Sequence, residues 1–346
     1  MIYLNHLRFK EAIVSILMDI TVSELAAVHV AESLVTTSLR GVDSHGVNLF
    51  PHYVRAVKAG RINAWPKMSF KQTGHSTSKL DADHAFGHYA GSVAMGEAIK
   101  LAKQSGVGAV SVSNSTHFGA AAYFALQAAD HDCIGLAFTN ADALVKAYGA
   151  KEAFFGTNPI CFTVPLANEE PFCLDMATSL VSWNKVLSFR RHNENIASDW
   201  AFDANGRSVD DPNRAVSLNP AGGYKGFGLG MMVDVLCALL SGGPISKDIL
   251  PMFNSPIEER RKISHFFMAL LISNFGDPVI FRSTMQDMVD RIRAMDAVDT
   301  KIPVMVPGDP EKFLYEERLK SGIPVEEKVF EELIALNGLF SNLVLK

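Results

Sequence analysis

Cysteine is scarce in this chain and scattered along it. Cys133, Cys161, Cys173 and Cys237 form no Cys-x-x-Cys pair, and each lies in an apolar run such as CIGLAFT or VDVLCALL. That pattern excludes a disulfide framework, argues against a zinc site and reads as buried, reduced thiols in the cytoplasm. Positive charge is not in excess either. There are 32 Lys and Arg against 37 Asp and Glu, a formal net charge of −5. With no long basic run, nucleic acid is a poor partner. No stretch reaches 18 uninterrupted apolar residues, so no membrane span is expected. The opening MIYLNHLRFKEAIVSIL sets Lys and Glu inside its apolar pattern and has no small-residue cleavage site. It reads as an amphipathic helix rather than a signal peptide.

A nucleotide fingerprint is also missing. GVGAVS offers Gly106 and Gly108 but has Ser111 where a third glycine belongs, and no strand precedes it. GGYKGFGLG is glycine-rich, yet it matches neither G-x-G-x-x-G nor a Walker loop. A Rossmann domain is therefore not supported.

At 346 residues, 48% of them hydrophobic, the chain is long enough for two domains and a large core. The first 60 residues read as helical, with Thr21 and Glu24 as a capping box and Gly41 and Gly60 as stops. Pro51 must lie in the first turn of the second helix or at a bend. From about residue 75 the strand candidates GVGAVSV, CIGLAFT, ICFTVP and FCLDMA alternate with helices over 92–104 and 119–129. A second long helix is expected over 227–240, a loop over 241–261, a strong strand at KISHFFMALLI, and a charged helical tail. Strands and helices mix without a clean βαβ rhythm, which favours an α+β fold.

Two histidines stand at element joints: His45 in DSHG and His117 in NSTHFG. A neutral imidazole there can give or take a proton near pH 7. It can equally be a hydrogen-bonded helix cap. Lys225 at the entry of a glycine-rich helix is a workable anion site, and a solvated lysine on a hinge is the equal alternative. In DMATS, Asp175 ends a strand while Thr178 and Ser179 are positioned to cap the following helix. His84 and His88 have a metal-like spacing, but Gly87 interrupts it and no third ligand is identifiable; the segment reads as a loop at a sheet edge.

GVDSHGV, VSNSTHFGAAAYF, GTNPICFTVP, LDMATS, GGYKGFGLGMMVDVL and VPGDPE occur in this order along the chain. Together they make it resemble the malate/L-lactate dehydrogenase family of the second, non-Rossmann type, from about Leu25 to Ile334. The resemblance implies a dinucleotide-binding sheet domain (73–224) inserted in a mostly helical domain formed by both chain ends (1–72 and 225–346). It implies a homodimer, and hydride transfer between NAD, or NADP, and the C2 carbon of a small 2-hydroxy or 2-oxo acid. By the same resemblance His45 and His117 handle the proton, without metal. Ser44, Tyr53 and Asn140 fall on the substrate side. Asp175, Met176, Ala177, Thr178, Ser179, Tyr224, Lys225, Gly308, Asp309 and Pro310 fall along the cofactor.

One departure matters. Many members carry an arginine where this chain has Leu49, which removes a charge-assisted contact to the substrate carboxylate. Lys146 is the candidate replacement, and a plain surface lysine is the equal alternative. Two rival readings remain beside this one: a metal-assisted hydrolase or lyase using His45, His84, His88 or His117, and a dinucleotide-binding protein without turnover.

Overall fold

The N-terminal apolar periodicity folds as the helices His6–Asp19 and Glu24–Leu39. The second is capped by Ser23, whose hydroxyl accepts from the Ala26 N–H. Thr21, expected to open a capping box, instead has φ +68° in the turn before it. A third helix, Phe50–Lys58, carries Pro51 in its first turn, where its missing N–H costs nothing. These helices share one core, built from Phe9, Ile13, Leu34, Phe50 and Tyr53. The C-terminal end closes it: Ile323–Val325 pairs antiparallel with Ile2–Leu4, and Phe340 packs edge-on against Phe9. The structure, a computed structural model, describes residues 1–345.

The central element is a seven-stranded sheet. Its order is Ser69–Gln72, Thr77–Asp81, Val107–Ser115, Ile263–Leu271, Cys133–Thr139, Ile160–Val164 and Phe172–Met176. All its pairings are antiparallel except that of Thr77–Asp81 with Val107–Ser115. The four strands expected between 107 and 176 form where the apolar runs lie. Ile263–Leu271 is apolar on nearly every residue because it is flanked on both sides and covered on both faces. It inserts between Val107–Ser115 and Cys133–Thr139, so the sheet takes a central strand from outside the 73–224 segment. A smaller five-stranded sheet gathers short strands from 145–155 and 201–218.

Two helices, Gly87–Ser105 and Ala122–Ala129, pack on the large sheet around Phe124, Met95 and Phe267. The first begins at Gly87, not at Ser92. Gly87 is no helix breaker here: a Cβ on it would meet the Thr116 carbonyl oxygen at 2.3 Å, so only glycine lets the helix start against that loop. His88 is therefore buried inside a helix rather than on an edge loop. The glycine-rich run forms the helix Tyr224–Asp234 and then a π-helical turn over Val235–Leu239. Among the described residues no helix is long and apolar enough to cross a membrane.

Candidate active site

DSHG folds as two short 3-10 turns, Asp43–His45 and Val47–Leu49, between the second and third helices. The Arg318 guanidinium donates to both Asp43 carboxylate oxygens at 2.6 and 2.9 Å and pins the turn. His117 follows the strand Val107–Ser115 at the sheet's end. Its neighbour Thr116 is fixed by accepting from the Gly87 N–H and donating to the Ala85 carbonyl, both at 3.0 Å. These two joints, 72 positions apart in the chain, bring the imidazoles together. The rings stack with centroids 5.6 Å apart and planes 25° from parallel.

Each ring has one nitrogen committed to a hydroxyl. Ser44 Oγ lies 2.8 Å from His45 Nδ1, and Tyr53 Oη lies 2.7 Å from His117 Nδ1. The Gly119 N–H also points at His117 Nδ1, at 3.4 Å. A backbone N–H can only donate, so Nδ1 is an acceptor and the ring proton sits on Nε2. Neither Nε2 has a partner among the described residues, and both residues line the same cavity. Desolvation lowers the His45 pKa to about 4. Desolvation, then the nearby His45, His88, Arg261 and His52, hold His117 well below its ordinary value. Both rings are neutral at pH 7. His117 does not cap the helix that follows: its N-cap position is Ala121, and the Asp175 carboxylate accepts from the Ala122 N–H at 2.8 Å.

A guanidinium joins this pair. Arg261, 5% exposed, lines the cavity at the start of the central strand. It is ion-paired with Asp142, and its Nε donates to the Leu250 carbonyl at 2.7 Å. Its Nη1 keeps no partner among the described residues and is available to an anion. Nothing in the sequence set Arg261 apart, because it sits in the charged run EERRK at the end of an expected loop. The usable signal was its position two residues before a strongly apolar strand.

The cavity extends well beyond the imidazoles, with a volume of about 1230 Å³. Asp175, Met176, Ala177, Ser179, Gly308 and Pro310 form part of its wall, as do Ser44 and Asn140. Asp175 is exposed to the cavity, and enclosure by the surrounding walls pushes its carboxyl pKa up to about 6. Gly308 has φ +98°, and a Cβ there would press on the Cys173 backbone at 3.1 Å. The loop before the helix Asp309–Ser321 therefore lies flat against the strand that carries Asp175.

Several expected site residues do not reach this space. Tyr53 is fully buried behind His117, where it orients the ring instead of meeting a substrate. Lys146 donates to the Gly206 carbonyl at 3.2 Å and lies 3.8 Å above the Phe202 ring, in the smaller sheet. It does not replace the arginine lost at Leu49. Thr178 turns its hydroxyl to the Thr157 carbonyl at 3.0 Å, and Ser182, not Thr178 or Ser179, caps the next helix. Asp309 is held by Arg293 at 2.6 and 3.0 Å. Tyr224 and Lys225 lie exposed at the start of the glycine-rich helix. Asn140 does line the cavity, but its side chain bridges the Pro244 carbonyl and the Ser264 N–H and so ties a loop to the central strand. Among the described residues no group of three or more His, Cys, Asp or Glu side chains is positioned to hold a metal ion.

This fold is that of a known class. The chain belongs to the malate/L-lactate dehydrogenase family, whose sequence profile matches residues 5–334, and it is an oxidoreductase of the CH–OH group. It is 38% identical over 331 residues to a malate dehydrogenase of Pyrococcus abyssi (strain GE5 / Orsay), covering 93% of this chain and 90% of that one. It is 33% identical over 309 residues to the ureidoglycolate dehydrogenase (NAD(+)) of Escherichia coli (strain K12), covering 89% and 88%. The crystal structure of malate dehydrogenase from Entamoeba histolytica superposes with a TM-score of 0.92 at 29% identity, covering 98% of each chain.

Proposed function

We propose that the chain interconverts a small 2-hydroxy acid and its 2-oxo acid by hydride transfer, with His117 and His45 handling the proton. The observation that carries this reading is the pair of neutral imidazoles, each with a free Nε2, on one cavity wall beside Arg261. In the oxidising direction His45, its Nδ1–H turned to Ser44 Oγ, accepts the hydroxyl proton on a bare Nε2 and becomes imidazolium, while the Tyr53-oriented His117 donates a hydrogen bond from Nε2–H to the same oxygen. In the reducing direction that imidazolium returns the proton to the carbonyl oxygen as it gains charge. Two stacked rings cannot both be charged at 5.6 Å without repulsion, so one proton serves the pair. Arg261 Nη1 holds the carboxylate.

The cavity supports a dinucleotide as the second reactant. Its volume of about 1230 Å³ exceeds the roughly 300–1000 Å³ of ordinary small-molecule pockets, so an acid alone leaves most of it empty. A bound nicotinamide ring supplies or accepts the hydride. Residues 175–177, Ser179, Gly308 and Pro310 would line its remainder. NAD suits this wall better than NADP. A 2′-phosphate needs an uncompensated cation, whereas Arg40 is paired with Glu170 at 2.7 Å, and Asp175 and Glu311 add carboxylates to the wall.

A homodimer fits the surface. Leu229, Met231, Met232, Val235, Leu239 and Leu240 leave an exposed apolar face along the glycine-rich helix. The four buried free thiols suit a reducing, cytoplasmic setting.

The test follows the nicotinamide absorbance band with each dinucleotide against 2-oxo acids, 2-hydroxy acids and cyclic imines. Turnover of 2-oxo acids with NADH is the expected result. Dinucleotide binding without turnover on any acid or imine would reject the reading.

A further inference from the structure

We infer that the acid handled at this site carries an uncharged, apolar side chain, as a branched aliphatic or aromatic 2-oxo monocarboxylate does and a dicarboxylate does not. This rests on the 2-oxo acid reading above and adds the chemistry beyond C2. Three observations carry it: the count of usable cations, the wall facing them, and what holds that wall in place.

Arg261 is a guanidinium beside the imidazoles whose Nη1 is unused among the described residues. Its charge is already balanced by Asp142, and its Nε by the Leu250 carbonyl. Of the other arginines lining the cavity, Arg40 lies on the Asp175 wall, ion-paired with Glu170 and with its Nη2 buried without a partner, and Arg190 donates from Nε and Nη2 to the Pro212 carbonyl. Among the described residues no lysine lines the cavity. One carboxylate can therefore be held beside the imidazoles. A second would stand near the Asp142 carboxylate without a partner, and an unpaired anion against an apolar wall bears its full desolvation cost.

That wall is apolar by construction. Leu49 follows His45 by one short turn, and both Leu49 and Met252 rest against the helical core with their other sides on the cavity. Phe253 also lines the cavity and is 57% exposed, a large aromatic face with nothing from the chain covering most of it. Ring contacts connect it to the site: Phe253 to His52 at 5.1 Å, His52 to Tyr53 at 6.0 Å, and Tyr53 to His117 at 6.2 Å. The segment bearing Met252 and Phe253 is tied down by Arg61, itself 2% exposed. Arg61 donates to the Met252 carbonyl at 2.9 Å, to Ser255 Oγ at 3.0 Å and to the Pro256 carbonyl at 2.7 Å. The apolar surface is thus held over the site in advance of any ligand, which favours a side chain that can pack on it.

The experiment compares kcat/KM for 2-oxoisocaproate, phenylpyruvate and oxaloacetate with NADH, for the full-length protein and for Leu49→Arg. The unaltered protein is expected to prefer the two monocarboxylates by at least about tenfold. Leu49→Arg is expected to move the oxaloacetate-to-2-oxoisocaproate ratio toward oxaloacetate by a similar factor. Equal or better use of oxaloacetate by the unaltered protein overturns the inference and leaves the 2-oxo acid reading standing. A ratio unmoved by a folded Leu49→Arg variant also overturns it, because Leu49 would then not face the side chain. No turnover of any of the three, with NADH still bound by fluorescence, overturns the 2-oxo acid reading itself.

Discussion

Four histidines crowd the end of the large sheet, and they divide into two layers. His45 and His117 each give one nitrogen to a hydroxyl and keep the other open on the cavity. His88 and His265 lie behind them, sealed at 0% exposure. His265 has both nitrogens satisfied, by Thr139 and Ser115 at 2.8 Å each. His88 has neither nitrogen satisfied and sits edge-on to Tyr53 at 5.0 Å. Desolvation lowers the pKa in both layers, to about 4 for His45 and about 3 for His88 and His265. A depressed pKa therefore does not mark the working rings. What separates the layers is a free nitrogen beside a space that a substrate can enter.

The strongest test of that division removes the open nitrogen. His117→Asn is expected to lower kcat by about 10²–10⁴-fold with the melting temperature nearly unchanged. Tyr53→Phe keeps the aromatic ring but removes the hydroxyl that orients His117, and should cost roughly ten- to hundredfold. Since both open rings are neutral well below pH 6.5, kcat/KM for hydroxy-acid oxidation should hold its value below that pH and fall only on approach to about 4. An acid limb centred at 6.5 would return these rings to the class of solvated histidines. Full activity in His117→Asn would erase the difference between the layers.

The same contrast can be drawn between two cations. Arg261 has a free nitrogen on the cavity, while Lys146 is spent on a carbonyl and an aromatic face. Arg261→Met should raise KM for the acid by about ten- to hundredfold, the worth of a charge-assisted hydrogen bond. Arg261→Lys should recover part of it. Lys146→Met should leave KM within about twofold. Steady-state kinetics on the three variants decides this, and a KM rise confined to Lys146→Met would reverse the assignment.

The strands and the two histidine joints were legible because each is a local pattern. A continuous apolar run ending in Asn-Ser-Thr-His marks a buried strand that stops at a polar edge, and DSHG marks a turn between helices. What was illegible is non-local. No spacing announces that Ile263–Leu271 inserts between strands more than a hundred positions earlier, yet that insertion is what carries Arg261 to His117. In EERRK, solvation and burial of an arginine look identical until the strand is paired. Lys146 answers the charge missing at Leu49 and Lys225 stands at a helix start, although neither fact says where a side chain points. Thr21 and Ser23 competed for one helix end, and the left-handed backbone at Thr21 gave the cap to Ser23.

The smallest expected change is the one that most sharply defines the sealed layer. His88 is buried between Tyr53 and Phe86 with no partner for either nitrogen, so its polarity contributes nothing that packing would lose. Replacing an unsatisfied buried polar group by an apolar one of similar volume is neutral to stabilising. His88→Leu should therefore keep kcat/KM within about twofold and hold or raise the melting temperature at pH 7. Acid enlarges the gap. The folded pKa of about 3 lies below the unfolded value of 6.5, so on acidification through that window the unfolded chain takes up a proton that the folded chain refuses. His88 thus drains stability as pH falls from 6.5 toward 3, and the leucine variant is free of that drain. Thermal melts at pH 7 and pH 5 should show the advantage of His88→Leu widening at the lower pH. A variant that instead loses activity tenfold while still melting normally would move His88 forward, into the layer that meets the substrate.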